Sequence, residues 1–325
     1  MGALTTLFIW AWLMASSFVV SGHMIAYASP IATSAFRFIL ALSIIFLLLA
    51  WQWKRAGLSV SDELSKLLLS RQQAIRYTLI SGSLIGFFIG LFTALQYTTP
   101  LNTSVLYTLI PLMGVVISRI WLKEALNLSK ACGFLIGSLG ACVVLFSTQG
   151  SPSNHILHDM IHFAWNKGDL IFLVACVLLA LHVVSVQKWG KSLPPLPGAF
   201  MVMLFGALWL IPIALFWGDV DKVQWRSSGF WINALYLTVF TTLFTFVLQQ
   251  RLVITVGASR LMAFSYTTPV WVACYTAFSH AQLNDLLGLG FLTGLLLLWL
   301  AFLLIEGKRF GSRISIQKTH NSRHL

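Results

Sequence analysis

Charge is scarce in this sequence. Only 9% of its 325 residues are Asp, Glu, Lys or Arg, and 58% are hydrophobic. So little polar surface cannot cover a water-soluble core, which implies that most of the chain is solvated by lipid. Carboxylates are rarest: nine in all, with Glu124, Asp169 and Asp285 near the ends of apolar runs and none deep inside one. The usual buried carboxylate proton relay is therefore missing. The four cysteines, Cys132, Cys142, Cys176 and Cys274, all fall within apolar runs and read as buried thiols, not as disulfides or a zinc site. A nucleotide-driven pump is also disfavoured: Gly190-Lys191-Ser192 resembles the end of a phosphate loop, but Ser185 stands where its first glycine is required. The first apolar run follows no basic residue and carries no cleavage pattern, so it reads as a retained span.

What the sequence does have is apolar length. Ten runs reach the roughly 20 residues that a helix needs to cross hydrocarbon: 4–25, 31–52, 74–97, 101–122, 128–147, 168–188, 196–218, 229–250, 258–280 and 284–305. Lipid cannot satisfy exposed backbone groups, so these runs predict an all-α integral membrane fold. The formal charge of +12 follows topology. Seventeen of the 21 basic residues fall in the even-numbered connections, at the span ends beside them, or in the tail; Lys167, Lys222 and Arg226 lie on the opposite face, and Arg37 alone lies well inside a span. This bias predicts cytoplasmic termini and contact with lipid headgroups, and it argues against a nucleic-acid partner.

The chain also repeats itself. The stretch from Ala94 to Gly137 returns in altered form near the C-terminus: Pro111 matches Pro269, and GFLIG from Gly133 to Gly137 matches GFLTG from Gly290 to Gly294. Five spans per copy is an odd number, so the second copy enters the membrane from the opposite side. The expected architecture is ten transmembrane helices in two inverted five-helix repeats, 1–147 and 168–305. An external linker, 148–167, joins them, and a basic cytoplasmic tail follows at 306–325. Duplicated membrane units leave a site between their halves, and rocking of one half against the other gives alternating access.

Further motifs refine this picture. Ser16-Ser17-Phe18, Ala35-Phe36-Arg37-Phe38, Ala94-Leu95-Gln96-Tyr97-Thr98, Pro111, Glu124 and Gly133 follow one another in the first half. Leu235-Tyr236-Leu237, Gly257-Ala258-Ser259-Arg260 and Pro269-Val270 follow in the second. With these residues the chain resembles EamA-type transporters of the drug/metabolite transporter superfamily over nearly its whole length. The resemblance implies a central cavity built mostly from spans one to four and six to nine. It also implies transport of a small metabolite, commonly export, in a bacterial inner membrane. Gln282 stands where the family often has an acidic residue, and Met14 and His182 stand at positions often aromatic, so the substrates of relatives do not carry over.

Arg37 is the sharpest single candidate. An arginine inside hydrocarbon costs roughly 2.5–3.5 kcal/mol on insertion scales unless water or a partner receives it, so it should face a cavity and recognise an anionic group, or else bond carbonyls or snorkel to the interface. His182, mid-span, can exchange a proton or serve as a neutral hydrogen-bonding group. Ser16, Ser17, Gln96, Tyr107, Tyr236, Thr242, Gln249 and Tyr266 are the remaining substrate-binding candidates, as neutral hydrogen-bonding or aromatic groups. Pro111 and Pro269 can bend their helices as gates or shape a rigid cavity. The glycine strip Gly82, Gly86, Gly90 and Ala94 is assigned to packing, whereas those of spans five and ten suit either docking within the chain or a homodimer.

The sequence thus predicts a secondary transporter, not an enzyme, that moves a small polar or amphipathic metabolite such as an amino acid, with no cofactor or resident metal. Two other readings stay open. One is a membrane enzyme with a metal site at His155, His158, Asp159 and His162 of the linker; the other is a non-transporting assembly or sensor protein.

Overall fold

The computed structural model describes residues 3–68, 70–123, 128–148, 166–279 and 288–306. The linker histidines, Glu124, Gln282, Asp285 and the basic tail lie outside them. Every element among the described residues is helical.

Helices α1 (Ala3–Met24), α2 (Pro30–Arg55) and α4 (Arg71–Ala94) are long and apolar enough to cross a membrane, as are α8 (Lys167–Trp189) and α9 (Pro195–Trp217). So is the rod Ser228–Val256, which comprises α10 (Ser228–Thr238), a π-helical turn (Val239–Phe244) and α11 (Thr245–Val256). That makes six clear spans among the described residues. A short helix, α3 (Val60–Leu68), follows α2 and has no buried residue. It carries Asp62 and Glu63 in its first turn and Lys66 in its last, as the helix dipole favours. The Glu63 hydrogen bond and charge hold the Lys66 ammonium above its ordinary pKa.

Two expected continuous spans are interrupted. The run expected at 101–122 is α5 (Pro100–Tyr107) followed by α6 (Ile110–Trp121), and the run at 258–280 is α12 (Ala258–Phe264), a 3-10 turn (Ser265–Thr267) and α13 (Thr268–Ser279). Pro111 and Pro269 therefore do not bend the middle of a continuous helix. Each sits in the first turn of the second piece, where a missing N–H goes unnoticed because that amide has no intrahelical partner. Shorter helices α7 (Leu128–Thr148) and α14 (Leu289–Glu306) complete the set.

Packing follows residue size. Helices α7 and α14 form the most extensive pair, and their glycines explain why: a Cβ at Gly140 would stand 3.1 Å from the Gly294 carbonyl oxygen and 3.0 Å from the Leu298 nitrogen. Gly140 and Gly294 thus face each other and Gly133 lies against Ala301 and Ile305, whereas Gly137 makes room for the Tyr266 ring. On α4, a Cβ at Gly86 would meet Leu178 and one at Gly90 would meet Ala175, both on α8, while Gly82 faces Trp209. The packing assignment of that strip holds. Helix α9 covers α2 and α4, α6 lies on α8, and α1 contacts α13, α11 and α10. Leucine, valine and tryptophan side chains such as Leu47, Leu215, Trp217 and Leu296 remain exposed on the outside, which suits a surface facing acyl chains.

Both ends of the bundle join early residues to late ones. At one end, Ser29 caps α2 through the Ala32 amide and donates to the Gly218 carbonyl. Beside it the Gln224 amide and side chain donate to the carbonyls of Tyr27 and Ala26, each at 3.0 Å. Phe36 packs against Trp225, Phe230 and Trp231 there. At the other end, Lys188 donates to the Trp121 carbonyl at 3.4 Å and lies 4.6 Å from that indole, which meets Trp189 edge-on at 5.0 Å.

Candidate functional site

Thr238, Thr241, Thr242 and Thr245 are all buried and turn their hydroxyls back onto carbonyls of their own helix. Such side-chain bonds compete with the backbone ladder, and here the ladder widens into the π turn from Val239 to Phe244. Single π turns often mark functional positions. Thr241 and Thr242 converge on the Leu237 carbonyl, at 2.9 and 2.8 Å.

Arg37 reaches this turn from α2. Its Nε donates to Thr242 Oγ1 at 3.0 Å, and Nη2 to Thr242 Oγ1 at 2.6 Å, Thr241 Oγ1 at 3.3 Å and the Leu237 carbonyl at 3.4 Å. The guanidinium carbon lies 4.6 Å from the Phe88 ring centre and 5.6 Å from that of Phe92. The residue is 1% exposed, so it does not reach the interface; Nη1 is the one nitrogen left without a partner. Arg37 and Thr242 are thus brought together, though not with the other candidates.

Elsewhere, the breaks in the two interrupted helices meet. A cavity of about 10 Å³ lies between Trp10 of α1, Tyr107 and Ile110 at the α5–α6 break, Leu179 and Val183 of α8, Gln249 of α11, and Leu261, Met262 and Ser265 at the α12–α13 break. That is room for about one water. No lining side chain carries a formal charge. Ser265 spends its hydroxyl on the Met262 carbonyl at 2.6 Å. Trp10 Nε1 and Gln249 Nε2 are buried N–H groups with no acceptor.

Of the sequence candidates, Tyr107 and Gln249 line this cavity. Tyr236 donates to Ser16 at 2.8 Å, a separate contact between α10 and α1. Ser17 bonds back to the Met14 carbonyl, Tyr266 donates to the Phe134 carbonyl at 2.7 Å in a core against α7, and Gln96 is exposed just beyond α4. Trp10 was not among the candidates. In a long apolar run a tryptophan reads as bulk, and only the absence of an acceptor around its nitrogen sets it apart.

His182 is fully buried, with Nδ1 at 2.9 Å from the Ile80 carbonyl. A carbonyl only accepts, so Nδ1 carries the hydrogen and Nε2 is left as an unpartnered acceptor in the neutral ring. The bond ties α8 to α4. His182→Leu is expected to lower stability by about 1 kcal/mol, measured as a lower melting temperature of the detergent-solubilised protein. His182→Asn, which keeps a donor, should lower it less.

The profile of the EamA-like transporter family matches residues 1–146 and 166–307. The chain is 25% identical over 256 residues to the uncharacterized transporter YyaM of Bacillus subtilis (strain 168), covering 78% of each chain. It is 29% identical over 221 residues to the uncharacterized transporter YvbV of the same organism, covering 67% of this chain and 63% of that one. A solved crystal structure superposes with a TM-score of 0.68 at 16% identity, over 96% of this chain and 98% of the other, a likeness of fold alone.

Proposed function

The chain belongs to the EamA-like transporter family, an integral multi-pass membrane protein, and from that premise we propose that it is a secondary transporter whose substrate binds where the two broken helices meet. The observation that carries this reading is the cavity itself, lined at once by Tyr107 and Ile110 at one break and by Met262 and Ser265 at the other. Interrupted helices facing each other near the middle of a bundle are how transporters expose backbone and side-chain groups to a solute.

An inverted duplication, 1–147 and 168–305, accounts for the neighbour pattern. Exchanging the corresponding spans of the two halves turns the α4–α8 pair into the contact of α1 with α10 and α11, and the α6–α8 pair into the contact of α1 with α13; α2–α9 and α7–α14 map onto themselves. All these pairs occur. Ten helices with both termini in the cytoplasm belong to this reading, and the distribution of basic residues supports the orientation. The two end contacts, Ser29–Gly218 and Lys188–Trp121, then act as alternate closures: one must part for the cavity to open to each side. With both closed, the cavity has room for only about one water, as an occluded state requires.

In this scheme Tyr107 and Gln249 contact the substrate, Pro111 and Pro269 fix where the helices break, and Arg37 braces the π turn. The substrate class is a small amphipathic metabolite such as an amino acid, exported across a bacterial inner membrane. The test is a metabolite-mixture efflux assay in proteoliposomes with and without a pH gradient. Protein-dependent efflux of a defined compound is the expected result; no flux of any compound under either gradient would sink the proposal.

A further inference from the structure

Two buried donors without an acceptor belong to the lining of the cavity. Its walls are mostly apolar, and the two buried polar groups left open among the lining residues are the indole N–H of Trp10 and the side-chain amide of Gln249. Trp10 is 3% exposed and Gln249 5%, so bulk water serves neither. An indole nitrogen only donates, and a buried donor without an acceptor costs about 1–3 kcal/mol. The two groups come from α1 and α11, elements of opposite halves of the sequence.

We infer that Trp10 and Gln249 are specificity-determining residues that clasp one acceptor oxygen of the substrate, a carbonyl or carboxylate oxygen on an otherwise aliphatic or aromatic body. The closed cavity has room for about one water, the size of that oxygen. The apolar body lies against Leu179, Val183 and Met262. A cationic amine without oxygen has no acceptor for either open donor, so it would leave both unsatisfied even where it met the Gln249 amide oxygen or the Tyr107 hydroxyl. A site built to complete a hydrogen bond rejects a ligand lacking the matching atom more strongly than an apolar pocket rejects a missing methylene. Because the clasp joins the two halves, binding also draws together the elements that line the cavity.

This inference rests on the transporter reading, and its test separates the two. The intact protein is presented with three probe sets of matched bodies. These are L-leucine and L-phenylalanine, with a carboxylate; 3-methylbutanamide and 2-phenylacetamide, with a neutral carbonyl; and 3-methylbutylamine and 2-phenylethylamine, with no oxygen. Binding is read as a rise in melting temperature in detergent, and transport as efflux from proteoliposomes. At least one oxygen-bearing probe is expected to stabilise the protein where its matched amine does not, and the first two sets show whether carboxylate or neutral carbonyl is preferred. Trp10→Phe, which keeps an aromatic ring but not the donor, should weaken that binding about tenfold. Gln249→Glu, nearly isosteric but with an acceptor replacing the amide donor, should weaken it at least as much, with both variants eluting from gel filtration as wild type does. Equal binding of amines and oxygen-bearing probes, unchanged affinity in both variants, or no stabilisation by any probe would each overturn the inference. Binding that follows the expected pattern without efflux would instead leave the clasp standing and remove the transport reading. Efflux indifferent to both substitutions would do the reverse.

Discussion

Arg37→Leu is expected to reduce flux of the transported compound about a hundredfold while leaving the melting temperature near the wild-type value. The two effects separate because the guanidinium does two opposing things. Its fork onto Thr241, Thr242 and the Leu237 carbonyl supplies charge-assisted bonds of about 1.5–3 kcal/mol each, and two of them bias the π turn over competing windings by two orders of magnitude or more. Burying a cation with no carboxylate among its bonding partners costs several kcal/mol in return. Leucine removes both terms, and Leu237 keeps the hydroxyls of Thr241 and Thr242 as donors. The fold therefore survives, but the turn no longer has one preferred shape. Arg37→Lys, a point charge without the fork, should fall between, near tenfold. A brace lowers the maximal rate for every substrate; a ligand raises the Michaelis constant for anionic substrates alone. Finding the second pattern would return Arg37 to substrate recognition, and flux within twofold of wild type in Arg37→Leu would exclude both roles.

Gly140→Leu should yield little folded protein. A Cβ at this position lies 2.9 Å from Leu297 Cβ, 3.0 Å from the Leu298 nitrogen and 3.1 Å from the Gly294 carbonyl oxygen. Two of these three atoms are backbone and cannot rotate aside, so α7 and α14 must separate along their whole contact. Overpacking by a few methylenes already costs about 1–3 kcal/mol in a tight core, and parting the largest helix pair removes far more dispersion contact. Even Gly140→Ala should lower the melting temperature. Gly82→Ala provides the contrast. Its new Cβ would stand 3.5 Å from Trp209 Nε1, an ordinary contact, and alanine in a helix interior gains about 0.5–1 kcal/mol over glycine. The measurement is the monodisperse fraction in gel filtration, with thermal unfolding of what survives. A normal yield of Gly140→Leu would mean that α7 and α14 do not meet through their glycines.

These two cases mark what could be read from the amino acids and what could not. Apolar length and the glycine spacing of four on α4 were legible, because a membrane helix needs about 20 apolar residues and close approach needs small ones. Which partner a strip faces was not: Gly133, Gly137 and Gly140 suit another protomer as well as α14, and only geometry decides. The matching prolines point to corresponding positions in two helices, but that each helix is interrupted just before its proline, after Tyr107 and after Phe264, is seen only in the structure. The π turn follows from threonine hydroxyls acting together, which no single residue announces. Apolarity alone puts Gln96 within its span, although α4 ends at Ala94 and leaves it outside. Arg37 stood out because a lone charge in hydrocarbon demands a partner, but threonines two hundred residues away are not visible from that demand.

The α7–α14 pair also has a consequence for how the protein is made. Roughly 140 residues of chain separate the paired surfaces, so at a synthesis rate of about 5–20 residues per second α7 waits on the order of ten seconds before its partner leaves the ribosome. Throughout that interval the glycine face of α7 is uncovered within the bilayer, open to lipid or to helices of other nascent chains. Assembly is thus completed from the C-terminal end, and a chain truncated before Leu289 would be left with an unfilled groove rather than with a smaller transporter.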